Sequence, residues 1–228
     1  MPAQRVAQAS FLSNAHDPHR LGHKGSADGN AALTSPSAFG PASKHIVATF
    51  GFWLFLLSDI IMFSALFATY AVLAHATAGG PSALQLLDIR NVAIETIVLV
   101  LSSFTCGIAL LAAKHKSSTV AQAFLVATGI LGSLFLVLEI REFAHLISVG
   151  AGPDRSAFLS AFFALVGCHG LHVLAGLIWL ATMLMQIRAR GFRPEISRRL
   201  MCFSLFWHAL DIIWVAVFTL VYLYGVLP

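Results

Sequence analysis

The chain has 228 residues, of which 58% are hydrophobic and only 11% are charged, and its mean hydropathy is +0.82. These values lie far outside the range of soluble domains and predict an integral membrane protein. The formal net charge is only +4, and it is explained by membrane orientation, so nothing in the composition points to a nucleic-acid-binding protein.

Residues 1–45 are polar and rich in small residues, as in SNAHDPHRLGHKGSADGN. They contain no apolar core followed by a cleavage site, so no signal peptide is predicted. We expect a disordered arm here. Its histidines, His16, His19 and His23, could bind a metal ion, but a solvated low-complexity segment is the favoured interpretation.

Five apolar runs follow, each long enough to cross a hydrocarbon core about 30 Å thick, which takes roughly 20 helical residues. The predicted spans are Ile46–Leu73, Val92–Ala113, Val120–Ile147, Phe158–Ile187 and Leu200–Leu227. The expected fold is therefore an all-α bundle of five transmembrane helices within residues 46–228. An odd number of spans without an obvious internal repeat argues against a transporter built from two repeated halves.

Basic residues between the runs predict the orientation of the bundle. If the N-terminus is cytoplasmic, that side carries four Lys or Arg residues in the arm, two in KHK and five in RARGFRPEISRR. The opposite side carries only Arg90 and Arg155. Since cytoplasmic loops are enriched in positive charge, we predict a cytoplasmic N-terminus and a periplasmic C-terminus.

The segment GAGPDRSAF, between the third and fourth runs, predicts a turn followed by a helix start. Pro153 is typical of such a turn, and the side chain of Asp154 or Ser156 has the oxygen that an N-cap requires. A capped loop is therefore favoured over a contact of Asp154 and Arg155 with another subunit or with lipid headgroups.

Nine ionisable residues lie inside the predicted spans. They are Asp59, Glu95, Glu139, Glu142, His145, His169, His172, His208 and Asp211. Burying such groups in lipid is costly, so each is expected to face other protein, a headgroup or water. Asp59 should lie deep, about 22 Å along its helix from Lys44, whereas Glu95 should lie near the outer interface.

The segment LEIREFAHLI is the most polar part of the third run. Spacings of three place Glu139, Glu142 and His145 on one helix face, whereas Arg141 is offset from the two glutamates. Candidate partners for this face are Glu95, through a shared proton or water, and then polar atoms of the fourth run. Arg141 is expected to point to lipid headgroups or to another chain.

Three chemical interpretations of these residues compete. Glu142-x-x-His145 has the spacing of di-iron carboxylate bundles, but such sites need a second pair and two further carboxylates, and no second Glu-x-x-His is present. His169 or His172 could pair with His208 on a haem, although histidines one turn apart cannot approach one iron from opposite sides. The favoured interpretation is that acids and histidines pair across helices and fix their packing, ahead of an essential proton relay.

Several segments also resemble a known family. FWLFLLSDIIMFSALFATYAVL, LEIREFAHLI, GCHGLHVLAG and FWHALDIIW closely resemble subunit III of the haem-copper respiratory oxidases, and most closely that of the bacterial cytochrome o ubiquinol oxidase. HGLHV followed by FWHxxDxxW on the next span is the most specific feature. The resemblance covers about residues 46–227.

The resemblance implies a multi-pass subunit of a terminal oxidase in the bacterial inner membrane. The complex would oxidise quinol, reduce dioxygen to water and pump protons. Its haems and copper would lie in subunit I, so this chain would carry no catalytic, cofactor or metal site. It would support subunit I in assembly, lipid binding and stability, with subunit II, a small subunit IV and phospholipids as further partners.

Other functions stay open at this point. The alternative is subunit III of a cytochrome c oxidase, although those relatives often have two more helices before the first span. An independent haem-binding cytochrome and a transporter are more distant alternatives.

The resemblance also assigns roles to individual positions. Asp59 matches a site where the cytochrome c oxidase relatives carry a glutamate known for its reaction with carbodiimide. Glu139 and Glu142 match the paired acids of the family, and its intramembrane polar motif is matched by His169, His172, His208 and Asp211. These positions are implied to serve packing, lipid contact or proton exchange rather than to act as ligands.

Overall fold

Five long α-helices account for most of the residues that the computed structural model describes, namely 44–79, 89–115, 117–191 and 194–223. They are α1 (Lys44–Leu73), α2 (Ile89–Lys114), α3 (Ser118–Ser148), α4 (Ala157–Arg190) and α5 (Pro194–Val217), and α5 continues into a π-helical segment (Phe218–Leu223). Each helix is long and apolar enough to cross a membrane, which confirms the predicted fold.

The chain divides into two units, residues 1–47 and 48–228, and the packing described below is that of the second. The predicted disordered arm, residues 1–45, lies outside the described residues except for its last two positions, where α1 has already begun. The arm is therefore still a prediction.

Most of the helices extend beyond the spans predicted from hydropathy. The helix α2 begins at Ile89 rather than Val92, α4 ends at Arg190 rather than Ile187, and α5 begins at Pro194 rather than Leu200. The reason is that hydropathy marks the part of a helix that lies in hydrocarbon, whereas polar flanking residues can continue the same backbone hydrogen bonds.

Ser156 starts α4. Its backbone is extended (φ −157°, ψ 158°), and its Oγ accepts a hydrogen bond of 3.2 Å from the backbone N–H of Leu159. This is the geometry of an N-cap, so Ser156 is the correct choice between the two predicted candidates. At the other end of α4, Gly191 has a φ of +68° that favours glycine and ends the helix.

The helix α1 packs on the bundle along one narrow seam. Most of its buried and half-buried positions recur at alternating spacings of four and three, with Phe67 as a half-buried addition: Phe52, Leu56, Asp59, Phe63, Leu66, Tyr70 and Leu73. This 3.5-residue repeat is typical of a coiled-coil seam. Large apolar side chains elsewhere on α1 are exposed, as at Ile61 and Val72. Asp59 therefore lies within the seam and faces protein.

The indole of Trp207 connects four helices. It projects from α5 against α3 and α4, where a β-carbon on Gly132 or Gly176 would lie only 2.8 Å from its ring atoms. Its Nε1 donates a hydrogen bond of 3.2 Å to the hydroxyl of Ser102 on α2. That hydroxyl in turn donates to the backbone carbonyl of Thr128 on α3, at 3.1 Å. A single side chain thus sets the approach of four helices.

Replacing Gly132 or Gly176 by alanine is expected to destabilise the bundle by about 1–3 kcal/mol, because the added methyl group would overlap the ring of Trp207. Gly107→Ala is the matched control, since nothing lies within 4 Å of a β-carbon built there. It should be neutral or slightly stabilising because alanine is the better helix former. Thermal unfolding in mild detergent measures the difference, and equal stability of the three variants would contradict this packing.

Candidate functional site

Asp59 of α1 and His172 of α4 face each other inside the bundle. Asp59 Oδ1 lies 3.8 Å from His172 Nε2, and the two side chains are 15% and 21% exposed. The ring of Phe63, the next seam residue of α1, packs edge-on against the imidazole with 5.3 Å between the ring centroids. The structure thus brings together an acid and a histidine that lie far apart in the chain.

The hydrogen bonding of His172 fixes which of its nitrogens carries a proton. Nδ1 lies 2.7 Å from the backbone carbonyl of Cys168, which can only accept, so Nδ1 carries the hydrogen. Nε2 is then the nitrogen that faces the carboxyl group of Asp59, and their separation of 3.8 Å is a close electrostatic approach that is longer than a hydrogen bond.

Three glutamates come together at the end of the bundle where α2 begins and α3 ends. Glu95 and Glu139 are each 2% exposed, and both lie close enough to Glu142 to interact with it electrostatically. Glu142 Oε2 accepts a hydrogen bond of 3.2 Å from the hydroxyl of Tyr222, in the π-helical segment. Glu95 is the partner that the sequence analysis ranked first for the helix face of Glu139 and Glu142. Tyr222 was missed, although an aromatic residue with a polar tip near a span end is a usable signal.

The carboxylate of Glu139 rests on the backbone of α4. A β-carbon at Gly170 would lie 2.5 Å and 2.7 Å from its two oxygens, so a larger residue there would displace the carboxylate from this position. Glu139 Oε2 is buried and has no hydrogen-bond partner in the part of the chain that the structure describes. Glu139 thus contacts α4 at a glycine, whereas polar atoms of the fourth run were the predicted partners.

His169 is fully buried among aromatic rings. Its ring centroid lies 5.1 Å from that of Trp214, 5.8 Å from that of Phe135 and 6.4 Å from that of Phe63. Neither ring nitrogen has a hydrogen-bond partner among the described atoms. Although His169 and His172 are one turn apart, the first faces an aromatic cage and the second an acid.

The remaining acid–histidine motif lies on α5. Asp211 is half-buried, lies near His208 on its own helix, and approaches Ser103 of α2. Its Oδ1 lacks a hydrogen-bond partner within the described ranges. The predicted spacing of three therefore places the two side chains near each other, and Asp211 faces α2.

A cleft of about 470 Å³ opens beside the three glutamates, between α2 and α3. Its polar lining consists of Asn91, Glu95, Arg141, Glu142 and His145. Arg141 and His145 are exposed, whereas Glu142 is half-buried and Glu95 is buried. The cleft therefore joins surface groups to buried ones, and it brings Arg141 to the same space as Glu142 of its own helix and Glu95 of α2.

The contacts of His172 bear on the haem interpretation. Both of its ring nitrogens already face a partner, the carbonyl of Cys168 and the carboxylate of Asp59. An axial haem ligand needs one of these nitrogens for iron. Within the residues described, no group of three or more His, Cys, Asp or Glu side chains is arranged to hold a metal ion. The geometry of His172 favours pairing between helices.

Comparison with known proteins decides the family. Residues 40–226 match the model of the family described as cytochrome c oxidase subunit III. This chain belongs to that family. The family predicted from the polar motifs is thus confirmed, and the match extends over all five helices of the chain.

Three of the similar curated proteins are named as subunits of quinol oxidases. Cytochrome bo(3) ubiquinol oxidase subunit 3 of Pseudomonas aeruginosa is 53% identical over 178 residues, which cover 78% of this chain and 85% of that protein. Quinol oxidase subunit 3 of Bacillus subtilis is 43% identical over 175 residues, or 77% and 86% of the two chains. A cytochrome bo(3) ubiquinol oxidase subunit 3 of Buchnera aphidicola is 41% identical over 196 residues, or 86% and 96%.

A double-mutant cycle tests the Asp59–His172 pair. Asp59→Ala and His172→Ala are expected to be coupled by about 0.5–3 kcal/mol in thermal unfolding, because each single change leaves the other group without its partner. The control cycle combines Asp59→Ala with His145→Ala, whose imidazole lines the separate cleft. There the coupling should be near zero, and equal coupling in the two cycles would contradict the pairing.

Proposed function

We propose that this chain is subunit III of a bacterial quinol oxidase and that it supports the catalytic subunit without carrying a redox centre itself. The observation that carries the assignment is the 53% identity over 178 residues with a subunit named for ubiquinol oxidation. The Bacillus subtilis relative is also named for quinol. These names favour quinol over cytochrome c as electron donor, although the family is described by its cytochrome c members.

The contacts of the polar residues support an accessory role. Asp59 faces His172, Tyr222 bonds to Glu142, and Trp207 bonds to Ser102, and all three contacts join different helices. Polar contacts of this kind hold helices together in lipid, where the hydrophobic effect does not drive their association. We infer that most of the intramembrane polar residues maintain a rigid surface for the catalytic subunit.

In this proposal the haems and copper of the complex belong to subunit I, and subunit II and a small subunit IV are the other protein partners. The chain supports assembly, lipid binding, stability and the delivery of protons to the catalytic subunit. The Asp59–His172 pair supports the last role, since an acid and a histidine can both exchange protons and these two face each other inside the bundle while still partly exposed.

The proposed location is the bacterial inner membrane, with a cytoplasmic N-terminus and a periplasmic C-terminus. The helix ends support this orientation. Lys114 at the end of α2 and the arginines around the α4–α5 connection lie at one end of the antiparallel bundle, whereas Arg90 and Arg155 lie at the other. The larger positive charge belongs on the cytoplasmic side.

Affinity purification of the tagged chain from mild detergent tests the assignment. We expect a haem-containing partner to accompany it, visible as a haem absorption band, and expect the mixture to consume oxygen with ubiquinol but not with reduced cytochrome c. The chain separated from its partners should show no haem band. A haem band in the isolated chain would overturn the accessory role, and a preparation without any haem partner would overturn the oxidase assignment.

Deletion of the chain tests the support role separately. The oxidase that forms without this chain should assemble less completely or lose activity faster during turnover, because the catalytic subunit then lacks the rigid helix bundle that we propose supports it. Matched measurements are haem content per cell, initial oxygen consumption and the half-life of activity. If all three equal those of the complete enzyme, the support role fails.

A further inference from the structure

The three glutamates at the end of the bundle where α2 begins and α3 ends are only partly satisfied by their neighbours. Glu95 and Glu139 are each 2% exposed, and the Oε2 atom of each has no hydrogen-bond partner in the part of the chain that the structure describes. The hydroxyl of Tyr222 donates to Glu142 instead, at 3.2 Å. Buried polar atoms are nearly always hydrogen-bonded to protein or to ordered water. The two unpartnered oxygens therefore indicate a small occupant beside them.

The charges of these three acids are not balanced inside the bundle. Each of the three carboxyl groups interacts electrostatically with the other two. The basic groups at this end of α2 and α3 are all exposed, namely Arg90, Arg141 and His145. They can balance the charge of Glu142, which is half-buried and lines the cleft. Two like charges buried side by side in a membrane-spanning bundle are far more costly than two neutral acids, so Glu95 and Glu139 are expected to bind protons.

The acids of α3 lead inward from the surface. Along the helix axis, Glu142 lies about 9 Å and Glu139 about 14 Å from the end of α3, and their spacing of three places them on one helix face. The cleft of about 470 Å³ reaches Glu142 from outside. Glu142 thus lies between the aqueous phase at this end and the two buried acids.

The surroundings of the unpartnered oxygens limit what can occupy the space. Both oxygens are already buried by atoms of this chain, so a side chain of another subunit cannot reach them. On α4, Gly170 leaves room for the carboxyl group of Glu139, and the adjacent His169 is fully buried with both ring nitrogens unpartnered among the described atoms. Interior water molecules are found at such groups and make about three hydrogen bonds each. Water fits both the size and the chemistry of this region.

We propose that Glu95, Glu139 and Glu142 form one proton-binding site, in which the two buried acids are protonated at neutral pH and are connected to Glu142 by buried water. When an inner acid has lost its proton, a proton from the cleft binds a carboxylate oxygen of Glu142 and passes through the water to re-form the O–H bond of that acid. Release is the reverse, and no electron moves. The protons belong to the group rather than to one residue. The site is separate from the Asp59–His172 pair and goes beyond the proposed function.

Infrared spectroscopy of the purified chain, with whatever subunits accompany it, tests the protonation. A carboxylic acid has a C=O stretching band well apart from the bands of a carboxylate, so subtracting the spectrum of a variant isolates the acid that was replaced. Glu95→Gln and Glu139→Gln should each remove the band of one acid at neutral pH. Asp154→Asn is the matched control, since Asp154 is exposed in the loop before α4, and it should remove none. If either glutamine variant retains the full band, the proposal is wrong.

Transfer of the same preparation into D2O tests the route. Exchange of O–H for O–D lowers the frequency of the acid bands, so the shift reports how fast the buried protons exchange. Glu142→Gln should slow the shift several-fold, because an amide does not pass a proton on as a carboxylate does. Asp154→Asn, an acid-to-amide change at the same end of the bundle, should leave the rate unchanged. An equal rate in the Glu142→Gln variant and the unaltered protein would contradict the route.

A density map of the unaltered complex, at a resolution that shows ordered water, decides the question even if a variant misfolds. We expect a water peak about 3 Å from the Oε2 atom of Glu95 or of Glu139. A map without such a peak at either oxygen, or with a metal ion there, would overturn the site. Failure of the oxidase assignment is distinguishable, since it would appear as a missing haem band without changing the acid bands.

Discussion

The fit of the Trp207 ring against Gly132 and Gly176 is the contact on which the rest of the bundle depends. Lipid tails are as apolar as the side chains of a neighbouring helix, so the hydrophobic effect does not drive helices together in a membrane. They associate instead by close packing and by hydrogen bonds between helices. Trp207 provides both, since its ring fills the space over two glycines and its Nε1 bonds to Ser102 on α2. The spacing of α2 to α5 follows, and with it the positions of the acids that they carry.

Trp214 repeats this arrangement two turns further along α5. Its Nε1 donates to Thr96 of α2 at 3.1 Å, and its ring packs edge-on against Phe135 with 4.7 Å between the centroids. The two tryptophans of the motif FWHALDIIW therefore each hydrogen-bond α5 to α2. His208 and Asp211 lie between the two attachment points, so these polar groups are held at a fixed height in an otherwise apolar segment.

The motif HGLH on α4 serves three directions at once, because successive helical residues point about 100° apart. His169 enters the aromatic cage, Gly170 receives the carboxylate of Glu139, and His172 faces Asp59. Glycine in the middle leaves room for the acid to lie against the backbone itself. Besides the aromatic cage, this motif thus faces two polar regions, the Asp59–His172 pair on the α1–α4 seam and the buried glutamates near the end of α3.

The five spans and the family were determined by the sequence itself, because hydropathy and short motifs are local properties of the chain. The 3.5-residue repeat of α1 also indicates that the Asp59 side chain faces the bundle. That repeat became apparent only when the structure showed which positions of α1 are buried. Glu95 was predicted as a partner of the third-run acids, but other partners were decided by the tertiary structure: Tyr222 is 80 residues from Glu142, and Trp207 is 105 residues from Ser102. The physical reason is that helices apolar on nearly every side do not mark which face meets which neighbour. That choice is made when glycines, hydroxyls and indoles of different helices fit together.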